Sequence, residues 1–392
     1  MTMELAAVWI NPYTIEKSRT GGVIARLLSL CPHELVAARV FCPSRELVEK
    51  YSRLIADKGS AESRMVREQI RNYLLEHWVQ RKGARNKARV ISLLFKGDNA
   101  IDTLRNRVVG PIKRKSILGE TVRDTYGDYI KDSQGRVRYF EPAVLIIPEA
   151  EEAEKTLRLW ARYSDQDGGV MSTACHFSGP VPPEMTLVLI KPESFRGPSS
   201  RPGNVIDVLS RAGLRIIGAK VVRMSINQAR EFYRPVAQAL VEKLKPRVVD
   251  QLKPILRDKF DFEIPDRVFD CIGDKLKSVY AESEFNKIII TMTGLDPRKV
   301  TELRERNRPG PEKCLALVYQ GPGAVAKIRS VLGATDPTKA GWATIRRIYG
   351  YSIMENIAHA SDSPRNTARE IKVLNIADNQ FKSVINEFYR NK

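Results

Sequence analysis

Two long stretches of this chain read in the same order, and an internal repeat constrains a fold more tightly than any single motif. The first opens with Leu5-Ala-Ala-Val8-Trp9-Ile10, a continuous apolar run of the kind a strand buried on both faces requires, and Asn11-Pro12 stops it. Helical sequence over 21–29, a strand over 34–41 and a helix opened by the cap-like Ser44 and reaching Tyr51 come next. Helical signal over 65–78, a strand over 88–95 and helical sequence over 99–107 complete the series. The second stretch opens with Leu187-Val-Leu-Ile190 and Lys191-Pro192, then a helix with Val205, Val208, Leu209 and Ala212 on one face and Gly213 as its stop. A strand over 214–224 and a helix from Ser225 to Tyr233 follow. Ile10-Asn11-Pro12 thus lies over Ile190-Lys191-Pro192, and Tyr51 over Tyr233. Thr121-Val-Arg123-Asp-Thr-Tyr126-Gly127 lies over Thr344-Ile-Arg346-Arg-Ile-Tyr349-Gly350.

The repeat predicts two domains, residues 1–163 and 184–392, with the turn-rich segment 164–183 as linker. An insertion over about 234–283 of the second copy carries Pro235, Pro246, Pro254 and Pro265, a spacing that predicts helices broken by prolines. No apolar run is long enough to span a membrane, and the opening residues predict no secretory leader. Five cysteines lie scattered without a C-x-x-C pair, which points to a reducing cytoplasm. Sixty-five Lys and Arg against 46 Asp and Glu give a formal charge of +19, more than a nucleotide site needs. The basic segments Arg81-Lys82-Gly-Ala-Arg85-Asn-Lys87-Ala-Arg89 and Lys113-Arg114-Lys115 leave nucleic acid open as a partner; without interleaved aromatics, a solvated basic face is the simpler reading.

Chemistry concentrates in Asn356-Ile-Ala-His359-Ala-Ser361-Asp362-Ser363-Pro364. Ser363-Pro364 is a cap and first turn, so His359 sits just ahead of a helix start, where backbone N–H groups and the positive dipole end attract anions. This motif resembles the active-site signature of the nucleoside diphosphate kinase family. Three further stretches match in order: Thr186-Leu-Val-Leu-Ile-Lys191-Pro192, the run from Leu315 through Arg329 and Gly333 to Thr335-Asp-Pro337, and Thr344-Ile-Arg346 with Gly350. The resemblance implies an α/β (α+β) fold, each copy a ferredoxin-like β-α-β-β-α-β sandwich with an antiparallel sheet. It implies ping-pong phosphoryl transfer between nucleoside tri- and diphosphates through a phosphohistidine on His359, with broad base specificity.

By the same resemblance Glu370, on the second turn of the following helix, orients the histidine, and Ser361 bonds Glu370. Lys191 and Asn356 contact the sugar 3′-hydroxyl and the reacting phosphate. Arg329, Thr335 and Arg346 bind the phosphates, and Tyr233 positions the terminal one. Phe285 stacks on the base with Ile353 opposite. Mg²⁺ arrives with the nucleotide, with Asp362 as a candidate outer-shell contact. The first copy has Asn11 at the lysine position and no histidine in Glu141-Pro-Ala143-Val-Leu-Ile-Ile147-Pro148, so it reads as a degenerate domain, with Arg105 and Arg123 as remnants. The copies are expected to pair as an intrachain version of the family dimer. Glu193-Ser194-Phe195, Gly341-Trp342-Ala343 and the tail from Ile376 depart from the family pattern, which leaves further homo-oligomers open. A non-catalytic nucleotide sensor or scaffold and a basic nucleic-acid-binding protein are the rival functions.

Overall fold

The computed structural model describes residues 2–55, 61–80, 82–112, 119–147 and 149–390. Arg81, Lys113-Arg114-Lys115 and Pro148, named above, lie outside them. The chain divides into two compact units, one formed by Met1–Val221 with Leu315–Lys392 and the other by Val222–Cys314.

In the first unit the opening apolar run becomes β1 (Met3–Ile10), with every residue from Leu5 to Ile10 buried. It is followed by α1 (Thr20–Leu30), β2 (Glu34–Phe41), α2 (Arg45–Leu54), α3 (Ala61–His77) and β3 (Val90–Asp98). A short helix α4 (Val122–Tyr126), a hairpin of β4 (Asp128–Lys131) and β5 (Val137–Glu141), β6 (Val144–Ile146), α5 (Ala150–Tyr163) and β7 (Gly168–Gly169) complete the first copy. Its sheet runs β6-β1-β3-β2-β7, antiparallel at each pairing. The second copy begins with β8 (Pro183–Ile190), α6 (Arg201–Ser210) and β9 (Arg215–Val222). The second unit then contributes α7 (Ile226–Phe232), α8 (Arg234–Lys259) and α9 (Asp266–Thr293). The chain returns through β10 (Cys314–Pro322), α10 (Ala324–Leu332), α11 (Ile345–Tyr349), β11 (Ala358–Ala360), α12 (Pro364–Val373) and α13 (Gln380–Arg390). The second sheet runs β11-β8-β10-β9. With β7 set aside, both sheets place the last strand beside the first, then the third and the second, the order of a ferredoxin-like α+β sandwich.

The repeat extends to side chains. Arg39 on β2 donates to the carbonyls of Ser164 and Gly168, at 3.1 and 3.0 Å, just past the end of α5. Lys220 on β9 donates to the carbonyls of Leu374 and Asn375, at the end of α12. Each copy thus sets a cation on the negative end of one of its helices, α5 in the first and α12 in the second. Helices α1 and α6 cross where only hydrogen fits: a Cβ on Gly203 would lie 2.0 Å from the Ala25 nitrogen, and one on Gly21 would lie 2.3 Å from the Asp207 nitrogen. Gly21 and Gly203 are equivalent positions, as are Ala25 and Asp207, so the crossing has the reciprocal form of a two-fold interface. Helix α13 packs on the first copy: Phe381 meets Phe41 edge-on at 5.4 Å, and Lys382 pairs with Asp165 at 2.6 Å.

In the second unit α8 and α9 form an antiparallel pair, fixed by Lys245–Asp274 at 2.8 Å and Lys253–Asp266 at 3.0 Å. Pro235 stands in the first turn of α8 and Pro265 caps α9, both positions that suit proline. Pro246 and Pro254 do not break α8, contrary to the sequence expectation; it continues through both for 26 residues. The lost backbone bonds are offset by burial of Leu244, Val248 and Val249 and by the ion pairs to α9, a tertiary contribution that local propensity does not register.

Candidate active site

Strand β11 is three residues long and antiparallel to β8, with His359 opposite Leu189. Ala358 and Ala360 are buried, while the His359 side chain stays 22% exposed. The strand is entered through Ile357, whose φ is +75°. A β-branched residue there is strained by about 1–3 kcal/mol and persists only where its surroundings over-determine it. Here they do: the Ile357 N–H donates to Oε1 of Glu193 at 2.9 Å, and its carbonyl accepts from the Lys191 N–H at 2.9 Å. On leaving the strand, Ser363 caps α12 by accepting from the Asn366 N–H, and Pro364 fills the first turn.

That start turns Glu370 back toward the strand. His359 Nε2 lies 3.0 Å from Glu370 Oε1, and Ser361 Oγ donates to Glu370 Oε2 at 2.6 Å. Glu370 and Ser361 are buried, and Arg369 stands 3.6 Å from the same carboxylate. A second cluster gathers on Asn356. Lys191 Nζ donates to Asn356 Oδ1 at 3.2 Å and to the Met354 carbonyl. Asn356 Nδ2 donates to the carbonyls of Thr335 and Ile353, each at 3.0 Å. Arg346 ties these loops to the strand, its two Nη atoms donating to the carbonyls of Gly333 and Ala358 at 2.9 Å. Arg329 and the Thr335 and Ile353 side chains are exposed. Asp362 accepts from Asn366 Nδ2 at 2.6 Å and from Ser363 Oγ at 3.0 Å. Burial works to raise its pKa, but those bonds and the charge of Arg329 outweigh it, and the net shift is downward.

Tyr233 and Phe285 belong to the second unit. Tyr233 is buried where α7 gives way to α8. Phe285 departs from the base-stacking ring expected of it: it is buried in α9 beneath the Arg230 guanidinium, 5.5 Å from the ring centre. Among the described residues no cluster of three or more His, Cys, Asp and Glu is placed to hold a metal ion. Glu193 and the brace formed by Arg346 were not recognised from sequence. Both depend on backbone geometry, although Arg123 at the position matching Arg346 was a visible signal for the latter.

The first copy is a comparison built into the same chain. Leu145 faces Trp9 at the register position of His359, and Thr156 follows it at the spacing of Glu370 from His359. Arg123 keeps the fork, donating to the carbonyls of Gly110 at 2.8 Å and Val144 at 3.1 Å. Burial, with the nearby charge of Arg105, lowers the Arg123 pKa to about 10. Asn11 Nδ2 donates to Glu141 Oε1 at 3.1 Å, and Tyr73 donates to Glu141 Oε2 at 2.6 Å. The hairpin β4–β5 brings Tyr129 and Phe140 over this region and leaves a cavity of about 10 Å³ beside Arg123, room for a water molecule at most.

Fold and site together define an α+β protein with two ferredoxin-like copies and a histidine–carboxylate–serine chain in only one of them. A sequence profile described as "Nucleoside diphosphate kinase" matches residues 302–379. The nucleoside diphosphate kinase of Bradyrhizobium diazoefficiens is 31% identical over 188 residues, 48% of this chain and 90% of the relative. That of Chlamydia trachomatis serovar L2 is 28% identical over 48% of this chain and 89% of its own length. A solved NDP kinase from Pyrobaculum aerophilum aligns at 26% identity with a TM-score of 0.32, covering 49% of this chain and 95% of that one. The chain belongs to the nucleoside diphosphate kinase family. Among its described residues no helix is long and apolar enough to cross a membrane.

Proposed function

We propose that the second copy is a nucleoside diphosphate kinase that works through a phosphohistidine on His359. The observation that carries this reading is the chain His359 Nε2–Glu370–Ser361, at 3.0 and 2.6 Å. With Nε2 turned to the carboxylate, Nδ1 is the attacking nitrogen. It bonds to the terminal phosphorus of a nucleoside triphosphate as the bond to the bridging oxygen breaks, and the electron pair leaves with the diphosphate. Glu370 stabilises the positive charge that attack places on the ring, and Ser361 fixes Glu370. A second nucleoside diphosphate then takes the group by the reverse displacement. Neutral imidazole is a competent nucleophile near neutral pH, so one site serves both halves of the cycle.

Lys191 and Asn356, already bonded to each other, face the reacting phosphate and the sugar 3′-hydroxyl in this reading. Arg329 and Thr335 meet the donor's phosphates from exposed positions, Arg346 backs them from its brace, and Ile353 meets the base. Mg²⁺, bound with the nucleotide, would neutralise phosphate charge at this site. With no protein cage among the described residues, Asp362 is the candidate outer-shell carboxylate, which would contact the ion through water.

The first copy, with Leu145 and Asn11 at the histidine and lysine positions, carries no phosphate. It serves as the partner in an intrachain version of a two-subunit assembly; the reciprocal crossing of α1 and α6 supports that role. Incubation with γ-labelled ATP tests the function. An acid-labile label on the wild type, absent from His359→Ala and discharged by any nucleoside diphosphate, is the expected result. Nucleotide binding without label would favour a sensor, and salt-sensitive retention on nucleic acid without label would favour a nucleic-acid-binding protein.

A further inference from the structure

We propose that Glu193 is a positioning residue for the nucleophile: its buried carboxylate clamps the Ile357 peptide and so sets the strand that presents His359. The inference rests on the kinase reading above. The Glu193 side chain is 2% exposed, at the end of β8 just past Lys191. Its Oε1 accepts the Ile357 N–H at 2.9 Å and lies 3.9 Å from Lys191 Nζ. One carboxylate therefore addresses both the residue that launches the nucleophile's strand and the lysine expected at the phosphate.

The first copy shows that this is a requirement of the fold. Ala143, at the position of Ile357, also has positive φ, +59°. Its carbonyl accepts from the Asn11 N–H at 3.1 Å, as Ile357 accepts from Lys191. Its N–H also ends on a carboxylate, Oε1 of Glu141, at 3.0 Å, and that same oxygen accepts from Asn11, the counterpart of Lys191. The two contacts recur, but the glutamate comes from a different place in the sequence. Tyr13 stands at the position of Glu193, and Glu355, at the position of Glu141, turns outward to Arg196 at 2.7 Å. A left-handed residue two places before the reactive position needs an acceptor for its N–H. The second copy supplies it from beside Lys191, which keeps residues 355 and 356 out of that task and leaves Asn356 to bond the lysine.

Glu193→Ala, Glu193→Gln and the double variant Glu193→Ala/Ile357→Gly test this by single-turnover labelling with γ-labelled ATP, normalised to folded protein. Removing the acceptor is expected to slow labelling about 100-fold with the nucleotide KM changed less than threefold, the signature of misplacement rather than lost binding. Gln keeps an acceptor for the Ile357 N–H and is expected to recover at least a third of the wild-type rate. Gly at 357 adopts positive φ without the clamp, so the double variant is expected to label at least tenfold faster than Glu193→Ala. Glu193→Ala labelling as fast as wild type, or Gln as slow as Ala, overturns the proposal while the kinase reading stands. A wild type that never labels overturns both. If Glu193→Ala fails to fold, the Gln rate and the Ile357 amide decide: a Gln variant with wild-type rate and an equally protected amide upholds the clamp, and a slow one refutes it.

Discussion

Replacing Arg346 by alanine separates a brace from a phosphate ligand, and the chain carries its own control. The guanidinium spends two donors on the carbonyls of Gly333 and Ala358, at 2.9 Å each. Arg123 spends the same two on Gly110 and Val144, in a copy with Leu145 where the histidine would be. Hydrogen bonds to charged groups are worth ~1.5–3 kcal/mol each, and carbonyls left buried add to the loss. Arg346→Ala is therefore expected to cost about 3–5 kcal/mol, and Arg123→Ala, whose side chain is the more buried of the two, at least as much. Lysine reaches one carbonyl at a time, so Arg346→Lys should lose about half as much. Urea denaturation followed by circular dichroism reads these losses as shifts in midpoint at constant slope. Because the Ala358 carbonyl adjoins His359, Arg346→Ala should also slow labelling in the folded fraction at saturating nucleotide. An Arg346→Ala chain within 0.5 kcal/mol of wild type, beside a destabilised Arg123→Ala, would show that the fork in the second copy carries no load and would refute the reasoning.

Other outcomes follow from the same geometry. Burial raises the Glu141 pKa above its ordinary 4.5, so as pH rises the unfolded chain loses this proton before the folded one does. Stability then falls with pH through that interval, and Glu141→Gln should flatten the slope in thermal melts as pH is raised past the ordinary glutamate value. Gly203→Ala forces a methyl against the backbone of Ala25 and Gly21, so a loss of ~1–3 kcal/mol or more is expected, and an unchanged melting temperature would contradict the crossing. Burial pushes the Cys42 and Cys31 thiols up to about 11, while Cys271 is exposed; mass-mapped alkylation at pH 8 should mark Cys271 first and reach Cys31 and Cys314 only on unfolding.

How much was legible in the sequence divides along local and non-local lines. The opening strand of each copy followed from an apolar run of the right length, because Leu5–Ile10 and Leu187–Ile190 have no solvated way to exist, whereas the arrangement of strands in the sheet came from the family resemblance. The approach of Glu370 to His359 was expected from the family resemblance; the residues themselves placed only the start of α12, at Ser363-Pro364, and Glu370 on its second turn. The passage of α8 through Pro246 and Pro254 was not, because it depends on what α9 contributes across the hairpin. Glu193 looked like a departure from a motif; its partner is a peptide whose left-handed conformation no side chain advertises, since isoleucine is among the last residues expected at positive φ.

The same non-local logic bears on a copy without the histidine and the carboxylate. A chain of buried ionisable and polar groups is expensive to hold, and replacing such a chain with apolar packing is often stabilising. Where the second copy keeps His359 and Glu370, the first has Leu145 and Thr156, behind them a cluster of Trp9, Tyr51, Trp78 and Trp160 with ring centres 5.1 to 6.2 Å apart. Helix α13, from the far end of the chain, adds Phe381 and Ile385 to that core. The strained Ile357 and the buried Glu193 thus sit in a unit whose stability is concentrated on the other sheet. Native-state hydrogen exchange should then find the slowest amides in β1 and β3, and measurably faster ones in their counterparts β8 and β10. Equal protection in the two sheets would mean that the second copy bears its own strain, and that Leu145 and Thr156 in the first copy have no stabilising role.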